Sequence, residues 1–481
     1  MIDIRPVGYL IGWLLTALGL SMALPLAADL TARNPNAAAF ATSGILTVTA
    51  GAMMVFSCSG SRQRVLTHQQ SFLLTTGIWL SFPLFGALPF VLGMPDASWT
   101  DGFFEAMSAF TTTGATVFLG LEELPAGTLL WRGLMQWYGG LGIVVVAMVF
   151  LPTLKVGGMQ LFRSEAFDTL GKILPRAGEI AIRLTLIYLG LTFACMIGYL
   201  WAGLSMFDAI VHAMTTLSTG GMANYDASFA GFGPGARDVA ALFMLLSALP
   251  FVRYIQFFSG DPKPLWRDPQ IHAFLMTLAA VIALLALHVA LRSEEPAGSV
   301  RDVAFSVISI ITGTGFATAD YMLWGPFAVS VFFVIGLIGG CSASTSCSIK
   351  VFRYQILAAA VVTEVRRLHS PNRVVTARYG GQPITADVMN AVMAFFLFFF
   401  LALGLVTVAL VILGLPPVTA ISGAAAALAN IGPGLGPEIG PSGNFASLPA
   451  AAKWLLAITM LVGRLELLTV LVIFTPAFWR G

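Results

Sequence analysis

The stretch AFTTTGATVF (residues 109–118) decides the fold, because its character contradicts its surroundings. The chain on both sides is apolar enough to cross a membrane as helix. Within the stretch, however, three hydroxyl side chains lead into a glycine, with the acidic residues Asp101 and Glu105 close by. Irregular backbone at membrane depth is tolerated only where it is buried in protein or lines water. The stretch therefore predicts a specialised turn inside a membrane protein.

Composition supports an integral membrane protein. Of 481 residues, 57% are hydrophobic and only 10% are charged, and the mean hydropathy is +0.86. A soluble domain carries about a quarter charged residues. The apolar runs are long enough to cross about 30 Å of hydrocarbon as helices, and the alternating pattern of a β-barrel is absent. We predict an all-α polytopic membrane protein.

About ten transmembrane helices are expected from the apolar runs. The predicted spans are residues 7–28, 37–56, 71–93, 128–151, 181–203, 236–258, 271–291, 325–355, 388–414 and 451–475. Lys and Arg concentrate on one side, which includes Lys155, Arg163, Lys172 and Arg176, and this places both termini in the cytoplasm. Most acids fall on the outer side, where an acidic mouth would concentrate cations.

The opening stretch recurs three times, as LSTGGMANYD (217–226), TGTGFATADY (312–321) and ANIGPGLGP (429–437). Each copy follows a half-length apolar helix, and the copies align on Gly114, Gly220, Gly315 and Gly432. Asp101, Asp208, Asp302 and Thr419 stand 13, 12, 13 and 13 residues before these glycines and are predicted to be the N-caps of the short helices.

The chain is thus predicted to hold four pseudo-repeated helix–pore loop–helix units around one pore, after an N-terminal two-helix hairpin. The boundaries are residues 1–70 for the hairpin, 71–155, 181–260 and 271–355 for three repeats, 356–387 for a cytoplasmic loop and 388–481 for the fourth repeat. Glycine lets successive carbonyl oxygens face an axis, where rings of carbonyls can replace the water around a cation. The predicted cation-binding residues are Thr111, Thr112, Thr113, Gly114, Leu217, Ser218, Thr219, Gly220, Thr312, Gly313, Thr314, Gly315, Ala429, Asn430, Ile431 and Gly432.

Three other interpretations of these features are open. The loops could be turns that pack helices together, since glycine and threonine are common at membrane helix contacts. A secondary transporter, coupled to protons or sodium, also breaks helices near the midplane, although inverted repeats alternate in topology whereas these share one orientation. A membrane-embedded enzyme would need clustered catalytic groups, but the five histidines are dispersed, and His212 is assigned to packing or loop support. We therefore expect no enzyme activity.

In combination, six stretches resemble the Trk/Ktr/HKT potassium transporters, most closely the bacterial TrkH branch. They are FTTTGAT (110–116), STGGM (218–222), TGTGFATADY (312–321), NIGPG (430–434), GGCSASTSCSIKVFR (339–353) and GRLELLTVLVIFTPAFW (463–479). The resemblance covers essentially the whole chain. It implies a potassium pathway through one pseudo-fourfold filter in each subunit, and the glycine at position 114 favours potassium over sodium.

A gate is also implied by the resemblance, in the form of an intramembrane loop below the filter and a pore-facing arginine, Arg464. The loop corresponds to GGCSASTSCS (339–348), where small hydroxyl residues allow a helix to unwind. Ala343, Ser346 and Ser348 depart from the glycine-rich form of this loop. A polar kink in a packed helix, and an ion pair between Arg464 and Glu466 or another helix, are the alternatives. The predicted gate residues are Gly339, Gly340, Ser342, Ser344, Thr345, Ser346, Lys350 and Arg464.

Partners and location follow from the resemblance as well. It implies a homodimer in the bacterial cytoplasmic membrane, surrounded by lipid, with potassium as the bound ion and no nucleic acid. The basic segment 351–387 either fixes topology or docks a cytoplasmic nucleotide-binding regulatory subunit, of the TrkA kind. The chain has no phosphate-binding glycine loop, so we expect it to bind no nucleotide itself.

Overall fold

A computed structural model describes residues 2–60, 66–149, 177–292, 299–370, 372 and 375–480. These residues are mostly helical, as predicted, with one short antiparallel strand pair, Arg378–Tyr379 with Gln382–Pro383, in the predicted cytoplasmic loop. The basic residues at 155, 163, 172 and 176 lie outside the described residues, so their predicted cytoplasmic position stays a prediction.

The N-terminal hairpin packs through glycines. Its helices are Arg5–Ser21, Ala23–Thr31 and Ala37–Cys58. A Cβ placed on Gly12 would lie 2.8 Å from the carbonyl oxygen of Gly51, and one on Gly51 would lie 2.5 Å from Thr16 Oγ1. Only small residues allow two helix backbones to approach this closely in a membrane.

Among the described residues, six helical segments are long and apolar enough to cross a membrane by themselves. They are Arg5–Thr31, Ala37–Cys58, His68–Leu92, Gly178–Trp201, Pro269–Leu291 and Ala386–Ile412. A seventh candidate is a bent pair, Pro234–Ser247 and Phe251–Phe258. The other three predicted spans correspond to Ala126–Val149, to Pro326–Gly336 followed by Val351–His369, and to Ala450–Arg464 followed by Leu467–Ile473. The polytopic all-α fold is therefore confirmed.

Two spans predicted to be continuous are broken. The helix pair at 234–258 bends by 89° between Ser247 and Phe251, next to Pro250. Proline cannot donate a backbone hydrogen bond and disfavours helix in the residue before it. The last span breaks after Arg464, where Glu466 adopts a left-handed φ of 63°. Both breaks lie beside the intramembrane loop described below.

Four short helices enter between the long ones. They are Trp99–Phe110, Met206–Leu217, Val300–Thr312 and Pro417–Ala429, called here pore helices 1 to 4. At about 1.5 Å per residue each rises less than about 20 Å, which is too short to span the bilayer. Short linking helices and 3₁₀ turns complete the described fold: Leu121–Glu123, Lys263–Arg267, Tyr321–Trp324 and Pro476–Arg480.

The predicted N-caps of the pore helices are wrong by three residues. In pore helices 1 to 3 the cap is a serine, and its hydroxyl accepts a hydrogen bond from the backbone N–H of the aspartate three positions later. The fourth helix starts after Pro416, which fixes φ without a side-chain cap. The aspartates are the third helical residues, where a carboxylate still favours the positive helix start. The observed caps are Ser98, Ser205, Ser299 and Pro416.

Candidate functional site: a ring of four loops

The loops after the pore helices share one hydrogen-bond pattern. In each loop, one backbone N–H donates to the carbonyl of the pore-helix residue five positions earlier. The pairs are Thr113 to Ser108, Gly220 to Thr215, Thr314 to Ser309 and Ile431 to Ala426. Thr113, Gly220, Thr314 and Ile431 are therefore equivalent, and the ring glycines that follow them are Gly114, Gly221, Gly315 and Gly432.

The predicted register of the second loop is therefore wrong by one residue. Counted from the observed caps at 98, 205, 299 and 416, the four ring glycines all fall 16 residues later. The adjacent glycines Gly220 and Gly221 can each be aligned with Gly114, and the hydrogen bonds that distinguish the two alignments are visible only in the structure. Leu217, predicted as a binding residue, is the last residue of pore helix 2. The ring glycine of this loop is Gly221, which is not among the predicted binding residues, and not Gly220.

The ring closes in the order first, second, third, fourth loop. A Cβ placed on Gly114 would lie 2.1 Å from Gly220 O, and one on Gly221 would lie 1.8 Å from Thr314 O. A Cβ on Gly315 would lie 3.1 Å from Gly432 N, and one on Gly432 would lie 3.0 Å from Gly114 O. The backbone of the next loop thus lies against each ring glycine, so that a Cβ would collide at Gly114 and Gly221 and would fit only tightly at Gly315 and Gly432.

Backbone conformation explains why these positions need special residues. Thr112, Thr219 and Asn430 have φ near 50°, and Gly313 has φ of 77°, all in the left-handed region. Two residues later Gly114, Gly221 and Gly315 again have positive φ, between 74° and 88°. Left-handed residues at alternate positions turn the chain away from the helix. Glycine adopts this left-handed region without steric cost, so it is favoured at these positions.

Buried side chains hold the loops from behind. The hydroxyls of Thr111 and Thr113 lie 2.7 Å apart, and those of Thr312 and Thr314 lie 2.8 Å apart. Asn430 donates from Nδ2 to Thr113 Oγ1 and to the carbonyl of Met460, which links the fourth loop to the first loop and to the last long helix.

His212 supports the second loop. Its Nε2 lies 3.3 Å from the N–H of Asn224, and its Nδ1 lies 2.8 Å from the carbonyl oxygen of Asp208. A neutral ring that accepts at Nε2 and donates at Nδ1 satisfies both contacts.

A cavity of about 170 Å³, on the predicted outer side, opens onto the four ring glycines. Beside it Arg132 and Glu105, both buried, form an ion pair of 2.8 Å, and Arg132 also donates to the carbonyl of Ala223 in the second loop. Of the predicted mouth acids, Asp226 accepts hydrogen bonds from the N–H groups of Gly120 and Leu121. Asp226 therefore also ties two loops together.

The intramembrane loop lies at the end of the ring next to the pore-helix ends, which is the predicted cytoplasmic side. Helix ends at Gly336 and begins again at Val351, and Ile338 and Ile349 pair between them as an isolated bridge. The N–H of Ser348 donates to the carbonyl of Ala429, at the end of pore helix 4. Thr112 Oγ1 and Cys347 Sγ are 3.6 Å apart. The loop is thus unwound, as predicted, and it packs directly beneath the ring.

The bend at 247–251 holds this loop. Its freed carbonyls accept hydrogen bonds from loop N–H groups: Ser247 O from Thr345 and Ala248 O from Cys341. In return the N–H of Phe251 donates to Ala343 O. A helix break normally leaves carbonyls unsatisfied. Here the loop satisfies them, so the break in one repeat and the loop of the next form a single unit.

Arg464 faces the loop and not Glu466. Its guanidinium donates to Cys347 Sγ and, at 3.5 Å, to Thr345 O, and Nε has no hydrogen-bond partner among the described residues. Glu466 pairs instead with Arg353, a buried residue that the sequence interpretation did not single out. The predicted arginine thus lies against the predicted loop.

A small cavity of about 50 Å³ beside the intramembrane loop brings most of the predicted gate residues together. Ser342, Ser344, Ser346, Lys350 and Arg464 line it, together with Asn430 of the fourth loop. Gly339, Gly340 and Thr345 belong to the same loop but lie outside this lining. Gly340 donates its N–H to Ser346 Oγ, and Thr345 contacts the bend.

Comparison with known proteins gives the family. Residues 36–480 match the TrkH family, described as a cation transport protein. The Trk system potassium uptake protein TrkI of Halomonas elongata is 45% identical over 97% of this chain and 95% of its own length. TrkH of Vibrio parahaemolyticus is 36% identical over 99% of both chains. The crystal structure of the potassium transporter TrkH from Vibrio parahaemolyticus superposes with a TM-score of 0.91, at 34% identity and with full coverage of both chains. The chain therefore belongs to the TrkH family of cation transport proteins.

Proposed function

We propose that this chain takes up potassium across the bacterial cytoplasmic membrane through the ring of four loops. The observation that carries the proposal is the closure of the ring, in which the backbone of the next loop lies against each ring glycine. The relatives described above are named as potassium uptake proteins or a potassium transporter, which supports the choice of ion.

Potassium would lose its water to backbone carbonyls of the four loops. Residues 111–114, 218–221, 312–315 and 429–432 supply them, and the negative C-terminal ends of the four pore helices converge on the same point. The ion selectivity of a carbonyl ring is set by the size of the ring or by the number of carbonyls that coordinate the ion. Either property depends on side chains that hold the loops in position. The buried hydroxyl and amide contacts described above supply that support.

The intramembrane loop and Arg464 would form the gate. The loop packs under the inner end of the ring, and a buried guanidinium there repels a cation that leaves it. Movement of the loop away from the ring would open the path. A cytoplasmic nucleotide-binding subunit docked on segment 351–387 would drive that movement, and the chain would work as a homodimer with one pore per subunit.

Rubidium uptake into liposomes that contain the purified chain tests the proposal, with potassium or sodium as competitor. Potassium is expected to compete and sodium is not. In Gly114→Ser the discrimination should fall, because the new side chain would meet Gly220 O in a left-handed backbone.

Gly120→Ser is the matched control, since Gly120 also has positive φ, of 62°, but open space around its Cβ position. It should keep the discrimination of the unmodified chain. Equal competition by sodium and potassium in the unmodified chain would show that the proposed selectivity is wrong.

A further inference from the structure

The second loop lacks a side chain that two other loops possess. Thr113 and Thr314 precede their ring glycines, and each hydroxyl pairs with the threonine two positions earlier. The equivalent residue of the second loop is Gly220, followed by a second glycine, Gly221. Gly220 carries no side chain that could hold its loop and glycine is conformationally free, so its carbonyl position needs support from elsewhere.

Gln136 fills the vacant space. It lies on the helix Ala126–Val149 and is fully buried. A Cβ placed on Gly220 would lie 2.3 Å from its Cδ, 2.4 Å from Oε1 and 2.6 Å from Nε2. The amide of a residue 84 positions away therefore stands where Thr113 and Thr314 carry their own side chains.

Both ends of this amide are engaged. Nε2 donates to Gly220 O at 2.7 Å, and Oε1 accepts from the N–H of Met222 at 3.2 Å. Because one end must donate and the other accept, only one orientation of the amide satisfies the loop. Gly220 O is also the atom nearest the Cβ position of Gly114, so the clamped carbonyl belongs to the ring.

We propose that Gln136 is a positioning residue of the ion pathway: it replaces the missing threonine side chain of the second loop and fixes the Gly220 carbonyl. This inference rests on the proposed potassium selectivity. A carbonyl oxygen has two lone pairs, so one can accept from Gln136 while the other faces the axis. A fixed carbonyl cannot follow a smaller ion inward, and the chain would therefore discriminate against sodium.

The test is a cycle of Gln136→Ala, Gly220→Thr and the double variant, with rubidium uptake and potassium or sodium competition as readouts. Gln136→Ala should lose about tenfold in discrimination, the equivalent of one hydrogen bond at about 1.4 kcal/mol. Gly220→Thr should lose discrimination because its side chain collides with the glutamine. The double variant should recover most of the discrimination, since the threonine then occupies the space as in loops one and three.

Two further variants separate positioning from general damage. Gln136→Met keeps the volume but cannot clamp the carbonyl, so it should fold and still lose discrimination. Gln70→Ala removes a buried glutamine that bonds Asp3 O in the N-terminal hairpin, and it should discriminate normally.

If Gln136→Met and Gln70→Ala discriminate equally well, or if the double variant is no better than Gln136→Ala, the inference is overturned while the pore proposal stands. If the unmodified chain fails to discriminate and Gly114→Ser changes nothing, both are overturned.

Discussion

At the scale of single residues, Ala343 and Ser348 show strain in the intramembrane loop. Both have φ near 60°, in the left-handed region where glycine is favoured. They are also two of the three positions that depart from the glycine-rich form of the family loop. Non-glycine residues in this region cost about 1–2 kcal/mol each. Hydrogen bonds to the bend and to pore helix 4 hold the loop in place despite this cost.

At the same scale we predict that removal of the Arg464 charge increases ion uptake. Arg464→Met removes a buried cation beneath the ring, beside Cys347, while it keeps an unbranched apolar stem of similar reach. A unit charge a few Å away at an effective dielectric of about 20 is worth several kcal/mol. Rubidium uptake by the chain alone should therefore rise on the order of tenfold or more.

Arg367→Met is the control for this prediction, because Arg367 is exposed and pairs with the exposed Glu364. It should leave uptake unchanged. A fall in uptake by correctly folded Arg464→Met would show that the arginine supports the pore and does not obstruct it.

At the scale of elements, the N-cap residue sets where each pore helix begins and therefore where its loop lies, and in three of the four pore helices that residue is a serine. The cap-to-glycine distance of 16 residues is the same in all four repeats. A pore helix that began one turn earlier or later would therefore shift its ring glycine relative to the other three. In pore helix 3, Ser299 and Asp302 form a reciprocal capping box.

Ser299→Ala should destabilise the protein by about 1 kcal/mol, because it leaves the N–H groups of the first helical turn without a side-chain acceptor. The midpoint of thermal unfolding in detergent measures the change. Ser330→Ala, which removes an exposed hydroxyl bonded to its own helix, should leave the midpoint unchanged. Equal midpoints for both variants would contradict the capping role.

At the scale of the whole molecule, contacts between repeats hold the ring together. Arg132 joins Glu105 of pore helix 1 to Ala223 O of the second loop, and Asn430 joins the fourth loop to the first. Lys453 of the last long helix pairs with Asp101 of pore helix 1, at 2.6 Å. These links join sequence-distant repeats.

Glu105→Ala should therefore be among the most damaging single changes. It leaves the buried Arg132 without its carboxylate, and breaking a buried pair in this way costs about 3–5 kcal/mol. The yield of monodisperse protein and the thermal midpoint should both fall. Asp238→Ala, at the exposed pair with Arg301, should change neither. If the two variants behave alike, the buried pair contributes little to assembly.

Local chemistry made much of the site predictable. Glycine and hydroxyl residues interrupt apolar helices visibly, so the four loops could be found from residue types and spacing, whereas the family resemblance pointed to the intramembrane loop and Arg464. The cap positions and the register of the second loop could not. Serine and aspartate three residues apart are both good capping residues, and GG offers two equivalent alignments until hydrogen bonds distinguish them.

The sequence by itself determined the membrane class, the fourfold recurrence of the loop motif and three of the four ring glycines, because hydropathy and backbone freedom are properties of the residues themselves. Only the tertiary structure decided what surrounds each loop. Gln136 is a polar residue inside an apolar helix until folding brings it against Gly220, and Arg353 becomes the partner of Glu466 in the same way. Such contacts join residues far apart in the chain, and a buried polar group is satisfied by whatever neighbour packing supplies.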